Sequence, residues 1–232
     1  MRFVLVHGAY HGAWCWGLLS SELEKLGHVA LAVDLPVEVP EAGAAAYADE
    51  IAALVGDEEA IVVGHSMMGL AIPLVPRLAP VSRLVFLCAF VPVPGSSFNE
   101  VRSREQVAPD REIQRVQFTD IGEGVWMIGP DTANELFFHD VSPRLASWAV
   151  PLLRPQSYRI MEEITPLLEW PEVDCSYVLC RADRAVDAEW ARSTARARLG
   201  TVPHELDGGH SPFLTRPAEL ARLLDRIGVE GR

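Results

Sequence analysis

Residues Val62–Gly69 read VVGHSMMG, a β-branched apolar run that ends in Gly-His-Ser and passes into helix-like sequence. A serine hydroxyl is a poor nucleophile until a base takes its proton. It must also stand clear of a buried strand to reach a substrate. A tight strand-to-helix turn does both: it exposes the oxygen at the strand's carboxyl end and aims the next backbone N–H at the reaction centre. Such a turn crowds the positions two before and two after the serine. Gly64 suits the first, Met68 occupies the second, and Gly69 comes one place late. The same residues also suit a plain helix N-cap, a role serine fills well. The rest of the chain decides between the two.

Around this stretch, short apolar runs alternate with longer helical patterns. Strands are predicted at Phe3–Val6, Val29–Val33, Ala60–Val63, Leu84–Cys88, Ser176–Cys180 and Val202–Glu205. They are continuous rather than alternating, as expected when helices cover both faces of a parallel sheet. Helices are predicted at Trp14–Lys25, Ala42–Val55, Met67–Leu78, Asp187–Arg198 and Pro217–Ile227, the last opened by Thr215 and an early proline. The series implies an α/β fold, a doubly wound, mainly parallel six-stranded sheet. Between Cys88 and about Asp174 no clean strand is legible, yet prolines and aromatics abound. So long a stretch is not a loop. The expected organisation is a core of residues 1–90 and 171–232, with a mainly helical cap inserted at 91–170 over the strand ends where ligands bind.

Composition narrows the function. The chain has 232 residues, 49% hydrophobic and 22% charged, enough for a large core. Twenty basic residues stand against 32 acidic ones, a net charge of −12, which argues against a nucleic-acid partner. The opening apolar run FVLVHG is too short for a secretory core, and no stretch approaches the ~20 apolar residues of a membrane span. Cys15, Cys88, Cys175 and Cys180 lack metal-ligand spacing and read as small residues of a reduced interior. The expectation is a cytoplasmic protein, monomer or homodimer, without a membrane partner.

An activated serine needs a histidine, and the histidine a carboxylate that fixes its tautomer. Asp183 follows the strand-like YVLC, and His210 lies in the Gly-rich ELDGGHSPF. The order Ser66, Asp183, His210 is the one expected of the hydrolase architecture built on such a serine turn. Asp187 is better suited to cap the helix that follows it, and Asp207 to shape a turn. His28 and His204 read as structural, and His65 should point away from the Ser66 hydroxyl. His139 is placed equally well in a pocket or elsewhere in the insertion. In VLVHGAYHGAW, glycine permits close approach of the backbone to the serine. The expected oxyanion donors are the N–H groups of Ala9 and Met67. Tyr10, Trp126, Phe137, Phe138, Trp148 and Ser211 are candidates to contact substrate, although helical spacing in the insertion equally fits ordinary packing.

With these motifs in place the chain resembles the α/β-hydrolases of the methyl esterase and hydroxynitrile lyase group, which includes the salicylate-type methyl esterases. The blocks that carry it are FVLVHGAYHGAW, LEKLGHVALAVDL, IVVGHSMMG, RLVFLCAFVP, LLRPQS, YVLCRADRAV and GGHSPFLTRP. The resemblance implies Ser66, Asp183 and His210 as triad, a helical cap and no cofactor. The sequence departs from the group at Met68, where glycine is usual. The lyases of the group usually have threonine where Gly8 stands and lysine where Ser211 stands, which disfavours cyanide release here. The expected activity is hydrolysis of a small, mostly apolar ester. Lactone, thioester or C–C bond hydrolysis in secondary metabolism, and small-ligand binding without catalysis, are the alternatives.

Overall fold

The computed structural model describes residues 1–109 and 117–230, so residues 110–116 of the expected cap lie outside it. In chain order the first half contains β1 (Arg2–Val6), α1 (Gly17–Lys25), β2 (Val29–Val33), α2 (Ala44–Val55), β3 (Ala60–His65) and β4 (Val81–Leu87). Then come α3 (Phe98–Arg104), β5 (Phe118–Gly122), β6 (Val125–Ile128), α4 (Pro130–Leu136), α5 (Pro143–Ala149), β7 (Gln156–Ser157) and α6 (Arg159–Glu162). The last part holds β8 (Asp174–Cys180), α7 (Ala188–Leu199), β9 (His204–Leu206), α8 (Pro212–Thr215) and α9 (Pro217–Val229).

The main sheet has six strands in the order β2-β1-β3-β4-β8-β9, and every neighbouring pair is parallel. All of β3 is buried, as is β1 beyond Arg2, which is why their sequences are apolar without alternation. From β1 the chain runs outward to β2, then returns to β3 on the other side. Strand order therefore reverses between β1 and β3, the position where open α/β sheets bind ligands beyond their carboxyl ends. Asp187 caps α7 by accepting from the Trp190 N–H at 2.9 Å, as its sequence position predicts. In α9, Leu220, Leu223, Leu224 and Ile227 are buried, a single apolar stripe against the core. Pro217 occupies its first turn as expected, but Arg216, not Thr215, precedes it; Thr215 ends α8.

Two expectations need correction. The predicted helix Met67–Leu78 is two short 3-10 turns, Ser66–Leu70 and Ile72–Arg77. Pro76 has no N–H to donate, and its ring would clash with a carbonyl four residues back in an α-helix. The region between Cys88 and Asp174 is not free of strands: β5, β6 and β7 form an antiparallel sheet of three. Every residue of β5 is exposed, so it carries no in-and-out pattern to read. The hairpin turns at Glu123 and Gly124, both with positive φ (55° and 73°), as two-residue hairpins require. Among the described residues no helix is long and apolar enough to cross a membrane.

Candidate active site

Ser66 follows β3 directly and has φ +55°, an uncommon conformation for a residue with a side chain. The bend is held from the neighbouring strand: the Phe90 N–H donates to the Ser66 carbonyl at 3.0 Å. Close packing explains the glycines. A Cβ on Gly64 would stand 2.7 Å from Ile72, and one on Gly69 would stand 2.0 Å from the Phe90 carbonyl oxygen. The second crowded position is therefore Gly69. Met68 meets no such wall and is fully buried in the core.

Asp183 lies just past β8 and His210 just past β9, adjacent strands of the sheet. The structure brings both to Ser66. His210 Nε2 is 3.0 Å from Ser66 Oγ, and its Nδ1 is 2.8 and 3.0 Å from the two Asp183 carboxylate oxygens. All three residues are buried. Asp183 Oδ1 also accepts from the N–H groups of Ala185 and Val186, at 2.8 and 3.0 Å, which fixes the carboxylate. With Nδ1–H directed at Asp183, the Nε2 lone pair faces the serine hydroxyl. Such a chain can take the hydroxyl proton as the oxygen attacks.

The His210 loop is held from behind. His65 Nε2–H donates to the His210 carbonyl at 2.9 Å, and the two rings lie 4.5 Å apart. His65 thus points away from the Ser66 hydroxyl, as expected. Asp140 accepts from the Gly209 N–H at 2.7 Å, and His139 Nε2–H donates to the Ala182 carbonyl at 3.0 Å. Sequence reasoning missed Asp140, which carries no motif of its own. Asp207 pairs with Arg181, His28 with Asp225 and His204 with Glu230.

Neither the Ala9 nor the Met67 N–H has a hydrogen-bond partner among the described residues. Both residues line a cavity of about 590 Å³ that opens over Ser66. His11 Nδ1–H donates to the Ala9 carbonyl at 2.8 Å and so steadies that peptide. Of the candidate contact residues, Tyr10 and Phe137 line the cavity. The other four are placed elsewhere. Phe138 packs on His11, Trp148 stands half-exposed against Trp14, and Trp126 stacks behind Tyr158. Ser211 is fully buried, and its hydroxyl has no partner among the described residues. Helical spacing in the insertion thus marks its own packing more than the cavity wall. Phe90, Phe118, Tyr158 and Met161 complete much of that wall and had no sequence signal.

Cysteine spacing also hid one proximity. Cys88, just past β4, has a ligating atom within 4.8 Å of those of Asp183 and His210. Burial pushes its thiol well above the usual range, which opposes the thiolate form that binds metals. The four cysteines are free, and all but the half-buried Cys175 are buried.

Comparison with known proteins agrees with this fold. The alpha/beta hydrolase family profile matches residues 3–223. The chain is 28% identical to the probable esterase PIR7A of Oryza sativa subsp. indica, across 99% of this chain and 97% of that protein. It is 30% identical to norfluorocurarine synthase 2 of a Strychnos species, across 97% and 94%. The crystal structure of polyneuridine aldehyde esterase superposes with a TM-score of 0.82 at 25% identity, covering 98% of each chain. The chain belongs to the α/β hydrolase family, among relatives of the methyl esterase and hydroxynitrile lyase group that its motifs resemble.

Proposed function

We propose that the protein is a serine esterase that cleaves a small carboxylic ester through an acyl-enzyme. The observation that carries this reading is the unbroken chain from Ser66 Oγ through His210 to Asp183, with links of 3.0 and 2.8 Å. Ser66 attacks the ester carbonyl. His210 accepts the serine proton and returns it to the departing alcohol. Asp183 holds the tautomer and stabilises the imidazolium. The Ala9 and Met67 N–H groups receive the oxyanion, each contributing about 10²–10³ in rate. Water then cleaves the acyl-enzyme by the same proton relay. These steps involve no metal or redox group. In this reading residues 91–170 act as a cap, since Phe118, Leu136, Phe137 and Tyr158 line the same cavity as Ser66.

A lyase reaction is disfavoured by the space around Gly8. A Cβ there would stand 2.6 Å from His65 Nδ1 and 2.8 Å from the Ser66 Cβ. The backbone as folded leaves no room for the threonine that lyases of the group place at this point.

The test is turnover of p-nitrophenyl butyrate by the wild type and by Ser66→Ala, with a fluorophosphonate label located by peptide mapping. Turnover lost in the variant and a label on Ser66 are expected. Equal turnover in both proteins refutes the mechanism. Tight binding of small acids with no turnover by either protein points to a non-catalytic ligand-binding role.

A further inference from the structure

We infer that the substrate carries a second anchor, a carboxylate at the end remote from the scissile ester, and that Arg102 and the Tyr10–Tyr158 pair bind it. This rests on the esterase reading and names its substrate class.

Most of the cavity lining is apolar, but Arg102, Glu105, Gln106 and Arg184 also line it. Two of these charges are already neutralised. Glu105 accepts from Arg198 through one oxygen and from the Trp190 indole N–H, at 2.7 Å, through the other. Arg184 pairs with Glu135 at 2.9 Å. Arg102, exposed on α3, has no hydrogen bond or ion pair among the described residues. Among the described residues that line this cavity, Arg102 is thus the one cation without a partner, in a chain of net charge −12. Distant acidic groups are screened by salt over about 10 Å, whereas a cation in the lining acts at contact.

The second half of the anchor is the tyrosine pair. The Tyr10 and Tyr158 hydroxyls are 2.7 Å apart, and both residues line the cavity. One O–H is consumed in the bond between them, which leaves one donor proton for a ligand. Burial pushes both phenols above their usual range, so that proton stays in place at neutral pH. Arg102 and Tyr158 line the same cavity, and the Arg102 charge opposes that shift at Tyr158. Tyr10 is also set with some strain: its φ is +64°, and its ring stacks on Phe118 at 5.9 Å. Non-glycine residues in this conformation gather at functional sites. A cation and a neutral O–H donor that line one cavity match a carboxylate, which accepts from both.

The experiment compares monomethyl adipate with the methyl ester in which an isopropyl group replaces its carboxylate, and with the methyl ester of ε-aminocaproic acid. Wild type should favour the carboxylate ester in kcat/KM by about tenfold or more over the isopropyl analogue. Arg102→Glu should reverse the order in favour of the ammonium ester, a gain that misfolding cannot produce. Tyr158→Phe should narrow the preference. An unchanged ratio in Arg102→Glu overturns the proposal. Turnover of p-nitrophenyl butyrate keeps the two questions apart: if it proceeds while the carboxylate is not preferred, the anchor falls and the esterase stands. If wild type hydrolyses no ester, calorimetric titration of Ser66→Ala with monomethyl adipate still decides the anchor, since binding lost in Ser66→Ala/Arg102→Glu supports it and equal binding refutes it.

Discussion

Gly69 lies directly beneath the backbone of Phe90: a Cβ there would come within 2.0 Å of the Phe90 carbonyl oxygen. Phe90 in turn donates its N–H to the Ser66 carbonyl. The bend that presents Ser66 is thus locked by contact between the chain after β3 and the chain after β4. Met68, one residue earlier, is a filler of the core. Replacing it by the glycine usual in the group removes a fully buried side chain. Met68→Gly should therefore cost about 2–5 kcal/mol of stability, from the cavity left behind and added backbone freedom. Gly69→Ala should be worse, because the obstacle is backbone and cannot turn aside. Urea denaturation of both variants tests this, and a Met68→Gly protein as stable as wild type contradicts it.

Gly8→Thr, the change toward the lyases, should not create a lyase. The new side chain meets His65 Nδ1 and the Ser66 Cβ. Either the β1 loop moves away, carrying the Ala9 N–H with it, or Ser66 shifts from His210. Esterase kcat should fall by about 10² or more, the loss typical of one oxyanion donor. The measurement is kcat on p-nitrophenyl butyrate. Retained kcat would mean that the Ala9 N–H does not act at the oxyanion.

Asp140 is a positioning residue. Its carboxylate accepts from the Gly209 N–H beside His210 and touches no reacting atom. Asp140→Ala should lower kcat about tenfold with little change in KM, because the His210 loop loses one charge-assisted bond. Asp140→Asn, which keeps an acceptor, should recover most of the loss. Failure of Asn to rescue, or a change confined to KM, contradicts the positioning role.

The central strands β1 and β3 were legible because they are buried on both faces, and such burial writes itself as uninterrupted apolar runs like Ile61–Val63. Ser66, Asp183 and His210 were legible because each follows a strand, and parallel strands deliver their ends to one edge. What escaped depends on long-range contact. No local pattern distinguishes Phe138, packed on His11, from Phe137, which faces the cavity. Asp140 gains its role from Gly209, far along the chain. The exposed β5 hairpin carries no burial code, and Pro76 outweighed the helical spacing of Met67–Leu78.

Three buried histidines make the fold sensitive to acid. Each bonds in a way that suits only the neutral ring. His7 Nδ1–H donates to the Gly8 carbonyl, while its Nε2 accepts from the Leu35 N–H. His11 and His65 each donate to a carbonyl from one nitrogen, and the other nitrogen is buried without a partner among the described residues. Burial lowers His7 to about 4 and His11 to about 3, and puts His65 well below its usual value. In the unfolded chain each titrates near 6.5. Above that pH both states are neutral, and the histidines add no pH dependence. Below it the unfolded chain binds protons that the native state refuses, so stability falls as pH falls. The slope is up to about 1.4 kcal/mol per pH unit for each histidine, or about 4 for the three together. For His7 the loss levels off only as pH passes its folded value of about 4. Urea denaturation at a series of pH values between about 7 and about 5 should show this steep decline. His11→Gln, whose side chain does not titrate, should reduce the slope by about one proton. Stability that holds level across this range would mean that the three rings gain protons in the native state, contrary to their hydrogen bonding.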